Sequence, residues 1–281
     1  NEDYKFEQSP ELLQSARYRF LHDRVQQAAH ELSPPEALPA LQLQCGRALL
    51  QACAGEALDA RLFVVLGCMN SAVALIDTAD ERAQLLALNL RGGMRAKAAS
   101  AFDAAVSLLS QAEALLPSYA GQSQPALARD VYREFAEAQY LAGHFAAAEA
   151  IYPVAQAACG DALGKVQLAL VQADQYHIQG RFADAHPVLL RALLWLGEDL
   201  PDDEAAAGAL FQQEFAQTEA LLAASSAEAL LQAPEMGAAE HRLAMRLYYA
   251  LTHSSYQTGR FAAFVLVACR MVLRTLRHGQ G

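Results

Sequence analysis

No G-x-x-x-x-G-K-[ST] loop occurs in the chain. The near miss at Gly160 to Val166 has the wrong spacing and ends in Val, so a phosphate cradle and a magnesium-binding hydroxyl are both missing. His30-Glu31 starts no H-E-x-x-H, no C-x-x-C exists, and the eight histidines are scattered, which excludes a zinc site built from neighbouring ligands. No run of 18 apolar residues escapes charge or turn punctuation, and no signal-peptide pattern is present. The cysteines Cys45, Cys53, Cys68, Cys159 and Cys269 are odd in number and widely spaced in apolar contexts. They fit buried thiols in a reducing cytoplasm and not a disulfide framework. Basic residues are scarce, 21 against 31 acidic for a net charge of −10, which disfavours a nucleic-acid backbone as partner. The local basic patch Arg270, Arg274 and Arg277 reads as the solvated face of one helix. No catalytic constellation emerges, so the chain reads as a non-enzyme without cofactor or metal. His144, His186 and His241 read as solvated or loop histidines.

What the chain does have is alanine and leucine, with few β-branched residues, and with Gly and Pro falling mainly between periodic segments; this predicts an all-α fold. At 281 residues and 54% hydrophobic content it can bury a large core. Between Ala126 and Gly197 one pattern is written twice. Aligning Gly143 with Gly180 superposes Ala136 on Ala173, Phe145 on Phe182 and Ala148 on Ala185. The unit is Gly-x-Phe-x-x-Ala between two helices. Gly supplies a left-handed turn, Phe is expected to plug the seam between the helices, and Ala lets the axes approach. Ala155 and Ala192 play the same small-residue part in the second helices.

Ser100 stands 43 residues before Gly143, with Phe102 and Ala105 in phase, and Gly259 stands 79 residues after Gly180. That last interval is about twice the 34 to 47 residues of common helical repeats, so one worn repeat is expected between. Turns are predicted near residues 100, 143, 180 and 259. Before them, helices are expected over 36–54 and 58–76, and Thr78 opens a third with Asp80 and Glu81 in its first turn. The Gly92-Gly93 pair inside that helix implies close packing on a neighbouring hairpin. The acidic stretch at 198–208 is the expected loose point.

The N-terminal segment is unlike the rest: Arg17 to Leu21 alternates like a short strand, and Asp23 can cap a helix ended by Pro34-Pro35. The run Phe20 to Ala29, FLHDRVQQAA, resembles the end of the winged helix in STAND-type signalling ATPases. The stretches ALQLQCGRALL, LFVVLGCMNSAVALI and LLWLGEDLP resemble the tetratricopeptide-like (TPR-like) region that follows the ATPase in large bacterial proteins. Such proteins fuse it with serine/threonine kinase-like and sensor histidine kinase domains. One departure is Cys68, where such proteins often carry His before Asn70. The resemblance implies a winged-helix remnant over 1–33 and a TPR-like α-solenoid of antiparallel hairpins over 36–281. It also implies that His22 senses nucleotide in the full-length protein. The absence of an initial Met and of a polar closing helix adds the expectation that the chain is a piece of something longer.

By analogy with TPR units, Arg133, Glu137, Tyr140, Asp174, His177, His253 and Tyr256 face inward and form the interaction surface. The function implied is that of a cytoplasmic regulatory scaffold, binding a protein partner or the protein's own ATPase and kinase modules. Neither a membrane nor a nucleic acid is implied as partner, and the oligomeric state stays open. The alternative is the small-molecule sensor of a STAND-type transcriptional activator, with a pocket such as Tyr140, Tyr176 and His177.

Overall fold

A computed structural model describes residues 34–53, 55–118, 125–226, 228 and 232–280. His22 and the expected winged-helix remnant lie outside them. The described residues are all-helical, with a single isolated bridge pairing Glu235 and Gln280. The chain divides into two compact units, residues 1–75 and 76–281.

In the first unit, α1 (Leu38–Ala52) and α2 (Glu56–Asn70) form a hairpin. Gly46 makes it close, because a Cβ there would meet the Met69 side chain at 2.7 Å. Helix α1 falls inside its predicted bounds, whereas α2 begins two residues before its predicted start and ends six before its predicted end.

The second unit contains α3 (Ala79–Ala98), α4 (Phe102–Leu115), α5 (Pro125–Leu141), α6 (Phe145–Ala158), α7 (Ala162–Ile178) and α8 (Phe182–Trp195). It continues with α9 (Glu204–Ala223), α10 (Ala239–Gln257) and α11 (Phe261–His278). Thr78 caps α3 by accepting from the Glu81 amide at 3.3 Å. Four hairpin turns repeat one geometry. At each, a left-handed residue ends the first helix: Ser100 (φ 59°), Gly143 (83°), Gly180 (70°) and Gly259 (72°). The next amide then reaches back over the helix end, as from Ala101 to Ala96, His144 to Gln139, Arg181 to Tyr176 and Arg260 to Ser255, at 2.8–2.9 Å. This is the Schellman closure, which satisfies carbonyls that the helix leaves without partners. Ser100 is thus the one side chain held where the pattern wants glycine, and it is the only non-glycine with positive φ among the described residues.

The hairpins stack in order. Each first helix packs on the previous one, α5 on α3, α7 on α5 and α10 on α7, while α4, α6 and α8 also touch the first helix that follows. Ala136, Ala148, Ala155, Ala173, Ala185 and Ala192 are all buried at these seams, as the repeat requires. Gly93 does serve close approach, but toward its own partner helix: a Cβ there would lie 2.4 Å from Leu109 Cγ on α4, not against a neighbouring hairpin. Phe145 and Phe182 are half-buried instead of full plugs, and Phe261 is 59% exposed.

The expected worn repeat is not interposed. The last hairpin, α10 and α11, sits directly on α7 and α8, and α9 leaves the stack to lie along α11. The register of Asp202 with Arg260, Glu214 with Arg270 and Gln217 with Arg277 makes α9 and α11 parallel. Helix α9 has no Gly-x-Phe-x-x-Ala turn to fold it into a hairpin, and its apolar side chains are spread round the helix, with Phe215, Leu221 and Leu222 exposed. The acidic segment before it is tied down. Arg270 donates to the Asp199 carbonyl at 2.6 Å, Arg274 pairs with Glu198, and Arg260 pairs with Asp202.

A candidate binding cleft between the first helices

Helices α7 and α10 place three of the seven predicted surface residues, Asp174, His177 and His253, in one cleft of about 810 Å3. Its walls are Leu170, Ile178, Phe182, Met245, Tyr249, Ala250 and Met271, with Arg242 and Arg246 at the rim of α10. On α7 the spacing 170, 174, 177, 178 keeps these side chains on one face, and on α10 the run 242, 245, 246, 249, 253 does the same. Ile178 and Tyr249, both lining the cleft, are 63% and 61% exposed.

The polar groups are individually held. His177 Nε2 and Ser254 Oγ are hydrogen-bonded at 2.7 Å, and the His177 and His253 rings meet edge to face at 6.0 Å. Burial, helped by His253, holds the His177 imidazole below its ordinary pKa. Ser254 is fully buried, so this pair orients the ring and does not present a nucleophile. Burial raises the Asp174 carboxyl; Arg246 acts against that rise and Glu137 adds to it. Arg242 is engaged with the Met236 and Gly237 carbonyls at 2.7 Å each. Among the described residues no carboxylate lies within ion-pair distance of Arg246.

The α5 residues of the predicted surface have another setting. Glu137 accepts from Lys97 of α3 at 2.7 Å, and Arg133 donates to Gln167 of α7 at 2.9 Å. Glu134, buried and unpredicted, shares Lys97 and Arg133. Tyr140 is buried among α5, α6 and α7, its hydroxyl pKa raised by burial and then by Glu137 and Asp174. A charged stripe therefore crosses successive first helices from Lys97 through Glu137 to Asp174 and Arg246. Tyr256 lies apart at the last hairpin tip, beside Phe261 and Phe264 at 6.2 and 5.9 Å.

Tyr140, Tyr176 and His177 do not form a pocket together. Successive positions on α7 point to different sides, so Tyr176 faces a separate cleft of about 340 Å3 against α6 and α8, under the Arg181 guanidinium. The C-terminal arginines also differ from expectation. Arg270 and Arg274 are only 12% exposed, the first bidentate on Glu214 and the second on Glu198 and His241. These acids come from α9 and the segment before it, and their contact with α11 was not visible in its own charge pattern. Tyr248 donates to the same Glu198 at 2.8 Å, and burial with that carboxylate pushes its pKa up to about 12. His186 is 2% exposed and not solvated, His241 stacks on His278 at 3.7 Å, and His144 is exposed as expected. All five cysteines are free; Cys53, Cys159 and Cys269 are buried, whereas Cys45 is exposed. Cys45 is exposed on α1 although its local sequence is apolar.

Met245, Arg246 and Tyr249 escaped the sequence reading. Their stripe on α10 is neither clearly apolar nor clearly charged, and the facing helix lies some 70 residues upstream with α9 between. Among the described residues no helix is long and apolar enough to cross a membrane, and no group of three or more His, Cys, Asp or Glu is gathered for a metal ion. No protein-family model matches the chain, and no match is found among curated proteins or solved structures.

Proposed function

We propose that residues 76–281 are a TPR-like α-solenoid serving as a non-catalytic regulatory scaffold of a bacterial signal-transduction protein. Its first helices bind a partner polypeptide or the protein's own ATPase and kinase modules. The observation that carries the reading is the side-by-side packing of α3, α5, α7 and α10, with the charged stripe and the apolar cleft on that layer. Stacked repeats build extended binding surfaces in this way. A photo-cross-linking residue in place of Tyr256 or His253, both exposed, tests it in the full-length protein. Capture of a discrete polypeptide, including a segment of the same protein, is expected; no polypeptide adduct at either position overturns the reading.

The STAND resemblance adds a switch. If a bound partner has different affinity for the two nucleotide states, it biases them, and by linkage the nucleotide alters partner affinity. His22→Ala in the full-length protein is then expected to raise output without partner; unchanged nucleotide retention and output would remove the switch from the proposal. The chain by itself is expected to turn over no ATP, which a hydrolysis assay on extensively purified protein checks.

A second reading, a small-molecule sensor, is supported by the α7–α10 cleft. Its volume of about 810 Å3 falls in the range of small-ligand pockets, and its lining is apolar with few convergent polar groups.

A further inference from the structure

The charge around the α7–α10 cleft runs against that of the whole chain. The protein carries −10, yet the cleft gathers two guanidiniums, Arg242 and Arg246, against a single carboxylate, Asp174, beside two imidazoles of which His177 is held toward its neutral form. Arg242 spends its Nη1 donors on backbone carbonyls, while Arg246 stands near enough to Asp174 to act on its pKa but makes no ion pair with a carboxylate among the described residues. A guanidinium in that position is matched by a planar carboxylate, which it can hold through two parallel hydrogen bonds. The remaining walls offer methionine, leucine and aromatic surface, which takes an apolar body of variable shape. Asp174 is the one carboxylate lining the cleft, and it opposes an anion.

We propose, building on the sensor reading of this cleft, that it binds a small apolar carboxylic acid. The carboxylate meets Arg246, and the body lies on Leu170, Phe182, Met245, Tyr249 and Met271. A cationic ligand is disfavoured by the two arginines, and a neutral one leaves Arg246 unmatched. The acid therefore gains from both the apolar walls and the charge, whereas its alcohol gains only from the walls.

The test compares decanoate, decanol and decylamine by titration calorimetry on the full chain, all below micelle-forming concentrations. Decanoate is expected to bind about tenfold or more tighter than decanol, equivalent to ~1.4 kcal/mol, with decylamine weakest. Arg246→Gln, at an exposed position, is expected to bring decanoate down to the level of decanol. Tyr249→Ala is expected to weaken decanoate and decanol alike. Equal binding of decanoate and decanol, or a preference that survives Arg246→Gln, overturns the acid class and leaves a ligand-binding cleft standing. Binding untouched by Tyr249→Ala places the ligand elsewhere and overturns the proposal. If none of the three compounds binds, the acid class and the sensor reading fall together.

Discussion

Single residues hold the hairpins at their closest points, and their backbone angles can be tested directly. Ser100 occupies a left-handed conformation that disfavours any side chain, in a turn whose three counterparts are glycine. Ser100→Gly relieves that strain at some entropic cost, and a gain of about 0.5–1 kcal/mol in chemical denaturation is expected. Loss of stability would show that the serine side chain contributes something specific. Gly93 poses the opposite case. Alanine is the better helix former by about 1 kcal/mol, but a Cβ 2.4 Å from Leu109 Cγ must displace a buried side chain. Overpacking of this kind costs about 1–3 kcal/mol, so Gly93→Ala is expected to lower the melting temperature, and an unchanged value would mean the hairpin opens freely. Because Phe145 and Phe182 are half-buried, truncating either to Ala is expected to cost less than the ~3–5 kcal/mol of a fully buried ring.

Helices α9 and α11 share apolar residues of one core, Ala207 and Leu266 among them, and add to this packing charge placed on helix ends and flanks. Glu204, in the first turn of α9, accepts from the Ala262 amide at 2.9 Å and reaches that of Ala263 at 3.5 Å. It therefore caps the start of a neighbouring helix, whose own Arg260 at the cap position offers no acceptor. A carboxylate there satisfies orphan amides and meets the positive end of the helix dipole. Glu204→Ala is expected to cost about 0.5–2 kcal/mol, as a cap does, with Glu204→Gln retaining part of it. Denaturant midpoints of the two variants check this, and identical wild-type values would reduce Glu204 to a surface acid. The Gly-x-Phe-x-x-Ala turns were legible in sequence because a turn is a local device. Both partners of each Schellman closure lie within six residues, so four turns fell where the pattern placed them. The departure of α9 from the stack was not legible, since it depends on Glu204, Glu214 and Asp202 meeting residues 56 to 58 positions away.

Across the second unit, buried histidine links stability to pH. His186 is 2% exposed; its Nε2 lies 3.3 Å from an Asp202 oxygen outside hydrogen-bond geometry, and Nδ1 has no partner. Burial, then Arg260, hold its pKa below the ordinary value, with Asp202 and Glu204 opposing. A lowered histidine pKa means that the folded state binds fewer protons than the unfolded chain. Stability is therefore complete above about pH 6.5 and declines as pH falls through the lowered folded value. His177 and His278 are shifted in the same direction and share the loss, whereas the raised Asp174 contributes stability that is lost as pH rises. His186→Phe is expected to flatten the decline in melting temperature between about pH 7.5 and 5.5. An unaltered slope would assign the acid sensitivity elsewhere. Helical class, hairpin turns and the small-residue seams were determined by the sequence alone, because helix periodicity and Schellman turns act over a few residues. Only the tertiary structure decided that α10 stacks on α7, that Arg270 and Arg274 are paired, and that Asp174, Arg246 and Tyr249 share a cleft. Those outcomes come from surfaces meeting across 56 to 76 residues, where burial and charge are settled by which helix arrives opposite which.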